Sequence, residues 1–478
     1  MILKNLDQIG SKEFEFTIIG SGPAGITLAT TLAKKNKRIL LIEAGGSNFS
    51  EKSQSFYNGK VIGDKYYPLT ICRLRYLGGT SGHWGGNCRP LDEIDFDEWI
   101  INKNSINIYE NRAKEILNLK EDFFNAKSEF EEFQEIAFLQ SEVRFGEKYN
   151  EEIKNSKNIF LLLNSPLLEI ISRKDNYKKV EKIKIKLNNE KDYLLKIDKL
   201  ILATGGIENS RILLWSKHLS KNDFLKNMPI GNYWNEHPSG EIAQFISEEK
   251  GNNSNIQRLT KMHLVPNRNF IKKEKINNIT IDFYEHKNNE NIKKTLIHRI
   301  KDLACIAPNL GKKIVDSLIN LRPNLRPVHC FFSVLFNAEQ KPTFNNKIIL
   351  SDKTDIHGMP KVKLYWNIQS DVFRTLRIVL ENIGEQLIKK KYGRIGIDRY
   401  VFDESFKFSK DIFANFHHIG GTIMGDNQSN SVVDKNLKVH NTENLYILGS
   451  STFTTGGFSH PTFSIVQFSL RLADHLSS

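Results

Sequence analysis

The pattern of apolar and polar residues near the N-terminus predicts a strand, a turn, a helix and a second strand in close succession. Phe14 to Ile19 and Arg38 to Glu43 are short, mainly apolar runs, and Ile26 to Ala33 has apolar residues at helical spacing. The turn between the first strand and the helix reads Gly20-Ser21-Gly22-Pro23-Ala24-Gly25. This order is typical of the βαβ unit that binds a dinucleotide.

Each glycine of this turn has a physical role in such a unit. Gly20 permits the tight turn, Gly22 lets the backbone approach a pyrophosphate, and Gly25 lets the helix pack closely on the strand. The helix N-terminus then offers free N–H groups and the positive end of its dipole to the phosphates. Glu43 closes the second strand and can accept hydrogen bonds from ribose hydroxyls. The turn alone does not distinguish NAD from FAD.

An apolar run at 199–204 predicts that the same sheet is resumed there, and residues 444–448 read as a last strand of the parallel type. The predicted helices run from Glu208 to Trp215 and from Thr462 to Leu476 at the C-terminus, and residues 159–163 have a β pattern. Residues 180–187 and 193–197 also have a β pattern, residues 45–70 read as irregular, and residues 97–150 read as mostly helical and charged. Residues 236–400 alternate strands and helices without a nucleotide signature. The predicted fold class is α/β, with two interleaved domains.

The domain boundaries follow from these elements and from the length of 478 residues, which is too long for one core. We expect a Rossmann-like dinucleotide domain made of residues 1–235 and 401–478, with a helical insert at about 97–150. Residues 236–400 would form the second, substrate-binding domain.

A glycine-rich loop follows the first βαβ unit. It runs from Leu77 to Asn87 and contains Gly78, Gly79 and His83. Glycine at this density indicates a backbone that passes very close to something flat or anionic. We therefore expect Gly78 and Gly79 to contribute to cofactor binding, and the family resemblance described below implies the same role for Asn87.

Two histidines near the C-terminus lie in glycine-rich loops, which are not expected to form part of a hydrophobic core. His418 is followed by Ile419-Gly420-Gly421-Thr422, and His460 lies in Ser459-His460-Pro461-Thr462. A neutral imidazole can take the proton of an alcohol while a hydride leaves the carbon, and a second group can fix the alcohol oxygen. The two histidines are therefore predicted to form a catalytic acid/base pair, and either imidazole could be the base. His417 is interpreted as a structural neighbour.

Composition narrows the class of protein. Hydrophobic residues make up 39% and aromatic residues 10% of the chain, as in folded globular proteins. No apolar run reaches the length of a membrane span, and the polar N-terminus predicts no secretory signal. The four cysteines lack the spacing of a metal site and favour a reducing compartment, so we expect a cytoplasmic location. They are Cys72, Cys88, Cys305 and Cys330.

The formal net charge of +13 does not predict nucleic-acid binding, because the basic residues are scattered and not interleaved with aromatic ones. Residues 291–326 are the exception, with eight Lys or Arg against two acidic residues and apolar positions at helical spacing. Two interpretations are open. The segment could make peripheral contact with an anionic membrane surface, or it could be a solvated face of a helical insert, which we favour.

Several motifs in order resemble the glucose-methanol-choline (GMC) flavoprotein oxidoreductases over nearly the whole chain. They are the Gly20–Gly25 turn, Leu200 to Glu208, Ile230 to Pro238, Asn346 to Pro360, His418 to Thr422, and Ser459 to Thr462. The resemblance implies FAD as the cofactor. It also implies a Rossmann-like FAD-binding domain and a substrate-binding domain built on a mainly antiparallel sheet plus helices.

The resemblance also implies roles for individual residues. His418 would be the proton acceptor and His460 its partner, in a position where many members have Asn. Ser450 and Ser451 would lie along the flavin and ribityl part of FAD. The loop Gly78-Gly79-Thr80-Ser81-Gly82-His83-Trp84 resembles one in which some members attach the flavin covalently to the histidine. Other members carry the same loop without the bond, so His83 is either the attachment point or a non-covalent neighbour of the ring.

The predicted function is FAD-dependent oxidation of the CH–OH group of a polar alcohol, a sugar or amino-sugar derivative. The partners would be this small molecule and an electron acceptor, which could be oxygen, a quinone or a redox protein. Three alternatives stay open at this point. One is an NAD-dependent dehydrogenase that uses the same turn, and another is a lyase of the GMC fold that does no redox chemistry. The third is a non-enzymatic binding protein attached to a membrane through residues 291–326.

Overall fold

The structure is a computed structural model that describes residues 2–3, 13–220, 222–247, 258–285, 331–403 and 412–478. The basic segment 291–326 lies outside the described residues, as do Cys305 and Cys330. The two interpretations of that segment therefore both stay predictions.

A six-stranded sheet, parallel throughout, forms the centre of the dinucleotide-binding part. Its strands, in spatial order, are Ile2–Leu3, Ile159–Leu162, Ile39–Ile42, Phe16–Ile19, Lys199–Leu202 and Leu445–Ile447. Ile18 pairs with Leu41 on one side and with Ile201 on the other, and all three side chains are buried. Parallel sheets are covered on both faces, which explains why these strands read as continuous apolar runs. The prediction that one sheet is resumed along the chain is confirmed.

Three helices accompany this sheet. The first, Pro23–Lys34, packs against the C-terminal helix Thr462–Ser477. The third, Gly205–Leu219, begins directly after strand Lys199–Leu202. All three were predicted, with ends that differ by a few residues. Within the described ranges, no helix combines the length and the apolar character that crossing a bilayer requires.

A second, antiparallel sheet carries the other core. Its main path consists of Gly393–Ile397, Pro238–Ser247, Phe331–Ala338, Ile279–Glu285, His263–Pro266, Phe133–Ile136 and Asn125–Lys127, and Ile412–Ala414 pairs with Pro238–Ser247 off this path. Helix Ser370–Lys389 buries Val372, Leu376, Val379 and Ile383 in the same core. Their spacing of three and four residues forms one apolar stripe along the helix. The predicted fold class, α/β with a second domain on a mainly antiparallel sheet, is confirmed.

The segment 97–150 differs from the expected helical insert. It contains helix Glu110–Ile116 and three short helices, but also strands that join the antiparallel sheet at Asn125–Lys127 and Phe133–Ile136. The short helices are Asn104–Asn107, Phe145–Lys148 and Asn150–Asn155. Phe133 and Ile136 are buried against strand His263–Pro266, so tertiary pairing outweighs the local helical pattern. The wider domain boundaries stay a prediction.

Smaller elements complete the fold. The strands are Leu167–Ser172, Val180–Leu187 and Lys191–Lys196 in one antiparallel sheet, Lys347–Thr354, Pro360–Trp366 and Gly59–Gly63 in a mixed sheet, and Asn87–Cys88 paired with Leu139–Gln140. The other helices within the described residues are Glu51–Gln54 and Arg268–Glu274, with 3-10 turns at Ser55–Tyr57, Gly79–Gly82, Glu93–Glu98, Arg399–Val401 and Ser450–Thr452. Residues 45–70, which read as irregular, thus contain a helical turn and the strand Gly59–Gly63.

Candidate active site

The dinucleotide turn has the geometry that its glycines predict. Gly20 has φ +100°, and a Cβ atom there would lie 2.5 Å from the carbonyl oxygen of Ala203. A Cβ on Gly25 would lie 1.9 Å from the carbonyl oxygen of Gly20, so a side chain would force the helix off the turn. A Cβ on Gly22, in contrast, would meet no atom within 4 Å. The space beside Gly22 is therefore free for a pyrophosphate.

The helix that follows this turn is open at its N-terminus. Gly22 is the N-cap of helix Pro23–Lys34, and no side chain caps the first N–H groups. Uncapped N–H groups and the helix dipole both favour an anion at this end. The residues present therefore fit the phosphates of a dinucleotide.

Glu43 lies in the same place and is bound to the turn. Its Oε2 accepts hydrogen bonds from Ser21 N at 3.0 Å and Ser21 Oγ at 2.6 Å, and its Oε1 accepts one from Gly45 N at 2.8 Å. A carboxylate has about four acceptor sites, so one remains for a ribose hydroxyl. Glu43 thus has a second role that the motif did not predict, which is to hold the turn in shape.

One continuous cavity joins the dinucleotide turn to the C-terminal histidine loop. Of the predicted site residues it is lined by Gly20, Gly22, Glu43, Gly79, His418 and Ser450, and it extends to Pro461 and Thr462 beside His460. Gly25, Gly78, His83, Asn87, Ser451 and His460 are not among the residues that line it. The cavity therefore connects two motifs that are almost 400 residues apart in the chain, at Gly22 and His418.

The glycines of the 77–87 loop meet protein atoms. Gly78 has φ +94°, and a Cβ there would lie 2.4 Å from the backbone nitrogen of Gly146. Gly79 has φ +54°, and its Cβ would lie 3.1 Å from Cα of Gly22. The expectation of close backbone approach is correct, but the neighbour of Gly78 is helix Phe145–Lys148. Of these two glycines, only Gly79 lines the cavity.

The other predicted flavin-side residues are more distant. His83 is exposed, and its ring stacks on Phe416 at a centroid distance of 6.4 Å; Phe416 itself lines the cavity. Asn87 accepts a hydrogen bond from the side chain of Gln140. Ser451 accepts one from Asn209 Nδ2 at 2.9 Å. The cofactor roles of His83, Asn87 and Ser451 stay predictions.

Backbone pairing places the segment that carries His237 beside the loop that carries His418. Asn235 and Ile419 exchange both backbone hydrogen bonds, at 2.7 and 3.0 Å. The carbonyl oxygen of His418 accepts a hydrogen bond from Ser450 Oγ at 2.6 Å. A Cβ on Gly206 would lie 2.5 Å from that same carbonyl oxygen, so only glycine lets the helix begin so close to His418. The backbone of His418 is therefore fixed by three separate segments.

The His418 side chain is bound to a tyrosine. Its Nε2 lies 3.0 Å from Tyr66 Oη, and Tyr66 donates its hydroxyl proton to Glu236 Oε2 at 2.8 Å. Trp234 packs against the imidazole at a ring-centroid distance of 5.9 Å. Burial, assisted by the charge of Arg73, lowers the pKa of His418 to about 3. The ring is therefore neutral at pH 7, the form that can accept a proton.

His460 has a different set of neighbours. Its ring lies 4.3 Å from that of His417 and 5.0 Å from that of Phe138. His417 Nδ1 in turn lies 2.9 Å from His237 Nδ1. No ring contact or hydrogen bond joins His418 to His460, both of which lie in the described part of the chain. The ring that contacts His460 is thus His417, which had been interpreted as structural.

Burial keeps this histidine group neutral as well. It lowers the pKa of His460 to about 4 and that of His237 to about 3, with His263 and His460 respectively adding repulsion. Burial lowers the pKa of His417 well below its ordinary value, and His460, His237 and His418 contribute in the same direction. Several neutral imidazoles thus lie close together at this end of the cavity.

Several residues of the site were not predicted from the sequence. Glu236 belongs to the Ile230–Pro238 motif and was not given a role, while Tyr66 lies in a segment that read as irregular. A buried ion-pair network also lines the cavity. It links Arg73 to Glu208 at 2.8 Å, Glu208 to Arg211 at 3.2 Å, and Arg211 to Asp355 at 2.7 Å. Glu208 and Arg211 are one helical turn apart, but Arg73 and Asp355 are far from them in sequence, so no local pattern could have indicated the whole network.

Two family models match the chain. Residues 14–221 match a pyridine nucleotide-disulphide oxidoreductase model, and residues 342–469 match a model described as GMC oxidoreductase. The first match contains the dinucleotide turn, and the second contains His418 and His460. The two matched regions are the ones that the cavity joins.

Two curated proteins share part of the sequence. The fructose dehydrogenase large subunit of Gluconobacter japonicus is 30% identical over 139 residues, which are 29% of this chain and 24% of that protein. The 2-methyl-1,2-propanediol dehydrogenase of Mycolicibacterium austroafricanum is 26% identical over 149 residues, 30% of this chain and 25% of that protein. The matched stretch thus spans about a quarter of the length of each relative.

Solved structures share the fold over nearly the whole chain. The crystal structure of pyridoxine 4-oxidase from Mesorbium loti superposes with a TM-score of 0.63 at 14% identity, over 97% of this chain and 99% of that one. A formate oxidase structure superposes with a TM-score of 0.57 at 15% identity, over 97% and 98%. At these identities the likeness concerns the fold. The two family models decide between the cofactors that the turn left open: residues 342–469 match the GMC oxidoreductase family, and the cofactor is FAD.

Proposed function

We propose that the chain is an FAD-dependent oxidoreductase that oxidises the CH–OH group of a polar alcohol, a sugar or amino-sugar derivative. One observation carries the proposal: neutral His418 lines the same cavity as Gly22 and Glu43 of the dinucleotide turn. A cofactor whose pyrophosphate lies at Gly22 can therefore extend towards a proton acceptor. The partial matches to a fructose dehydrogenase and a diol dehydrogenase support an alcohol substrate.

In the proposed reaction, bound FAD supplies the hydride acceptor, at N5 of its flavin. The chain supplies the acceptor for the other hydrogen: a ring nitrogen of His418 takes the hydroxyl proton while the carbon loses its hydrogen with the electron pair, and a C=O bond results. His460, with His417 beside it, is the proposed partner that orients the alcohol oxygen.

The proposed cofactor contacts follow the predicted site residues. The ADP half would be held by Gly20, Gly22, Gly25 and Glu43, and the flavin half by Gly78, Gly79, His83, Asn87, Ser450 and Ser451. Gly25 and Gly78 would act through the backbone, because their missing side chains let helices approach the turn and the loop. We also propose a cytoplasmic location, in line with the free thiols of Cys72 and Cys88.

Anaerobic flavin bleaching tests the proposed function. The oxidised, FAD-loaded protein is mixed with ketoses, aldoses, amino sugars, short diols and pyridoxine, and its visible absorbance is followed. We expect at least one sugar-type alcohol to bleach the flavin, and subsequent addition of oxygen or of a quinone to identify the acceptor. A flavin that stays oxidised with every alcohol, but is bleached by dithionite, would contradict the proposal and favour a non-redox lyase.

A separate experiment decides the role of His83. Its ring stacks on Phe416 at the edge of the cavity, which permits either a covalent bond to the flavin or non-covalent contact. After acid precipitation, a coloured pellet would show the covalent bond, and His83→Ala should then release the colour with the fold intact. We favour the other result, a colourless pellet with all FAD in the supernatant, because His83 is exposed. Trp84→Phe, at the next position, is the matched control.

A further inference from the structure

A hydrogen-bonded chain of three side chains runs from His418 away from the cavity. His418 Nε2 lies 3.0 Å from Tyr66 Oη, and Tyr66 Oη lies 2.8 Å from Glu236 Oε2. The other carboxylate oxygen, Oε1, accepts hydrogen bonds from His237 N at 2.9 Å and His417 N at 2.7 Å. The far end of the chain is therefore anchored by backbone donors that cannot change direction.

The direction of this chain determines which nitrogen of His418 carries the proton. Ionised Glu236 can only accept, so Tyr66 donates its single hydroxyl proton to it. Tyr66 Oη can then only accept from His418, which must carry its proton on Nε2. Nδ1 has no hydrogen-bond partner within the described residues and belongs to a side chain that lines the cavity. It is left with a free lone pair.

We propose that Tyr66 and Glu236 are positioning residues that fix the tautomer of His418, with Nε2 protonated and Nδ1 free to accept a proton in the cavity. The inference rests on the proposed function of His418 as the proton acceptor. Neither residue would touch the substrate. Both would act through the imidazole, as a carboxylate does when it holds a catalytic histidine in one tautomer.

Protonation of Glu236 would reverse the donor and acceptor roles in the hydrogen bonds that join Glu236, Tyr66 and His418. Because Oε1 already accepts two backbone N–H groups, the added proton belongs on Oε2, from which it is donated to Tyr66 Oη. Tyr66 then donates to His418 Nε2, and the imidazole proton moves to Nδ1. In this state no lone pair on Nδ1 is available for the substrate. The two protonation states of Glu236 thus correspond to an active and an inactive tautomer of His418.

The surroundings of Glu236 place this change near neutral pH. Burial raises the pKa of Glu236 to about 7, although Tyr66 and the backbone N–H groups of His237, His417 and Asn415 oppose the shift. Burial and then Glu236 raise the pKa of Tyr66 well above its ordinary value, so the phenol stays protonated throughout. The other groups nearby are Arg73, whose charge acts on Tyr66 and His418, and Cys72, which acts on Tyr66 and is itself affected by Glu236. Flavin reduction should therefore fall as the pH decreases through about 7, well above the pKa of His418 itself.

Nitrogen NMR tests the tautomer without turnover. FAD-loaded protein labelled at the histidine ring nitrogens gives separate signals for protonated and bare nitrogens, and the spectrum of His418→Gln identifies those of residue 418. We expect His418 to have a protonated Nε2 at pH 8.5 and a protonated Nδ1 at pH 5.5. In Glu236→Gln the amide nitrogen donates to Tyr66, so we expect protonated Nδ1 at both pH values. A wild-type His418 with protonated Nδ1 at pH 8.5 would overturn the inference.

Kinetics provide a second arm, in case Glu236→Gln does not fold. Anaerobic flavin reduction is followed between pH 5.5 and 8.5 in wild type, Glu236→Gln, Tyr66→Phe and Tyr67→Phe. We expect Glu236→Gln at pH 8.5 to be slower by about 10²-fold or more, and Tyr66→Phe to lose the pH dependence near 7. Tyr67→Phe is the control, because Tyr67 packs edge-on against Phe416 and Tyr66 outside this chain of hydrogen bonds. A Tyr66→Phe profile identical to that of wild type would overturn the inference.

The two arms separate failure of the inference from failure of the proposed function. If no alcohol reduces the flavin, the proposed function fails, while the NMR spectra still decide whether Tyr66 and Glu236 fix the tautomer. If alcohols reduce the flavin and His418 is required, but its tautomer is the same in Glu236→Gln, the proposed function stands and the inference is wrong.

Discussion

His418→Ala is expected to retain FAD and to slow flavin reduction by about 10²-fold or more, because it removes the general base. In free energy this is a loss of about 2.7 kcal/mol or more of transition-state stabilisation. The FAD contacts proposed at Gly22 and Glu43 lie at the other end of the cavity, so the cofactor should stay bound. The measurement is the rate of anaerobic bleaching in a stopped-flow instrument, with FAD content determined on the same samples.

Two further histidine variants make this result specific. His440→Ala is the matched control, since His440 contacts Ser431 and does not line the cavity. His417→Ala tests the neighbour that lies 4.3 Å from His460. If His418→Ala reduces flavin at a near-normal rate while His417→Ala does not, the proton acceptor is His417 and the assignment of His418 is wrong.

Gly22→Val is expected to abolish FAD binding in a protein that still folds. A Cβ at Gly22 meets no protein atom within 4 Å, so the branched side chain can be accommodated by the chain itself. It would, however, occupy the space into which the uncapped N-terminus of helix Pro23–Lys34 points. The purified variant should be colourless, with circular dichroism like that of wild type.

Two other glycine variants separate loss of cofactor from loss of structure. Gly396 is an exposed position of strand Gly393–Ile397, and the nearest atom to a Cβ there is 3.8 Å away, so Gly396→Val should stay yellow. Gly25→Val should fail to fold, because its Cβ would lie 1.9 Å from a backbone oxygen. A Gly22→Val protein that is folded and yellow would contradict the assignment of the pyrophosphate to this turn.

The parallel sheet could be predicted from the sequence because its signals are local. Runs such as Ile39–Ile42 are apolar throughout, and the glycines of the turn have fixed spacing. The strand Phe133–Ile136 could not be predicted in the same way. Its charged surroundings read as helical, and its pairing with Asn125–Lys127 and with the distant strand His263–Pro266 makes it a strand. A hydrophobic pattern over a few residues does not show which distant strand a segment pairs with.

Those residues of the site that belong to sequence motifs could be predicted. His418 and Glu43 were found because each has a fixed position relative to glycines, and the structure places both on one cavity. Tyr66 was not found, because its contacts to His418 and Glu236 join residues separated by 352 and 170 positions. The contact between His417 and His460 was not predicted, for a related reason. The direction in which adjacent histidines point depends on the backbone of the loop, which composition does not reveal.

The arrangement of the six-stranded sheet has a consequence for biosynthesis. Strand Leu445–Ile447 forms one edge of the sheet and pairs with Lys199–Leu202, and helix Thr462–Ser477 packs against helix Pro23–Lys34. Both elements leave the ribosome long after the first βαβ unit. The nascent chain must therefore keep an unfinished apolar sheet edge until residues 445–447 have been synthesised. Because Ser450 and Thr462 also line the cavity, we expect the cofactor to bind only after these elements are in place, and we expect chaperones that shield exposed strands to act before that point.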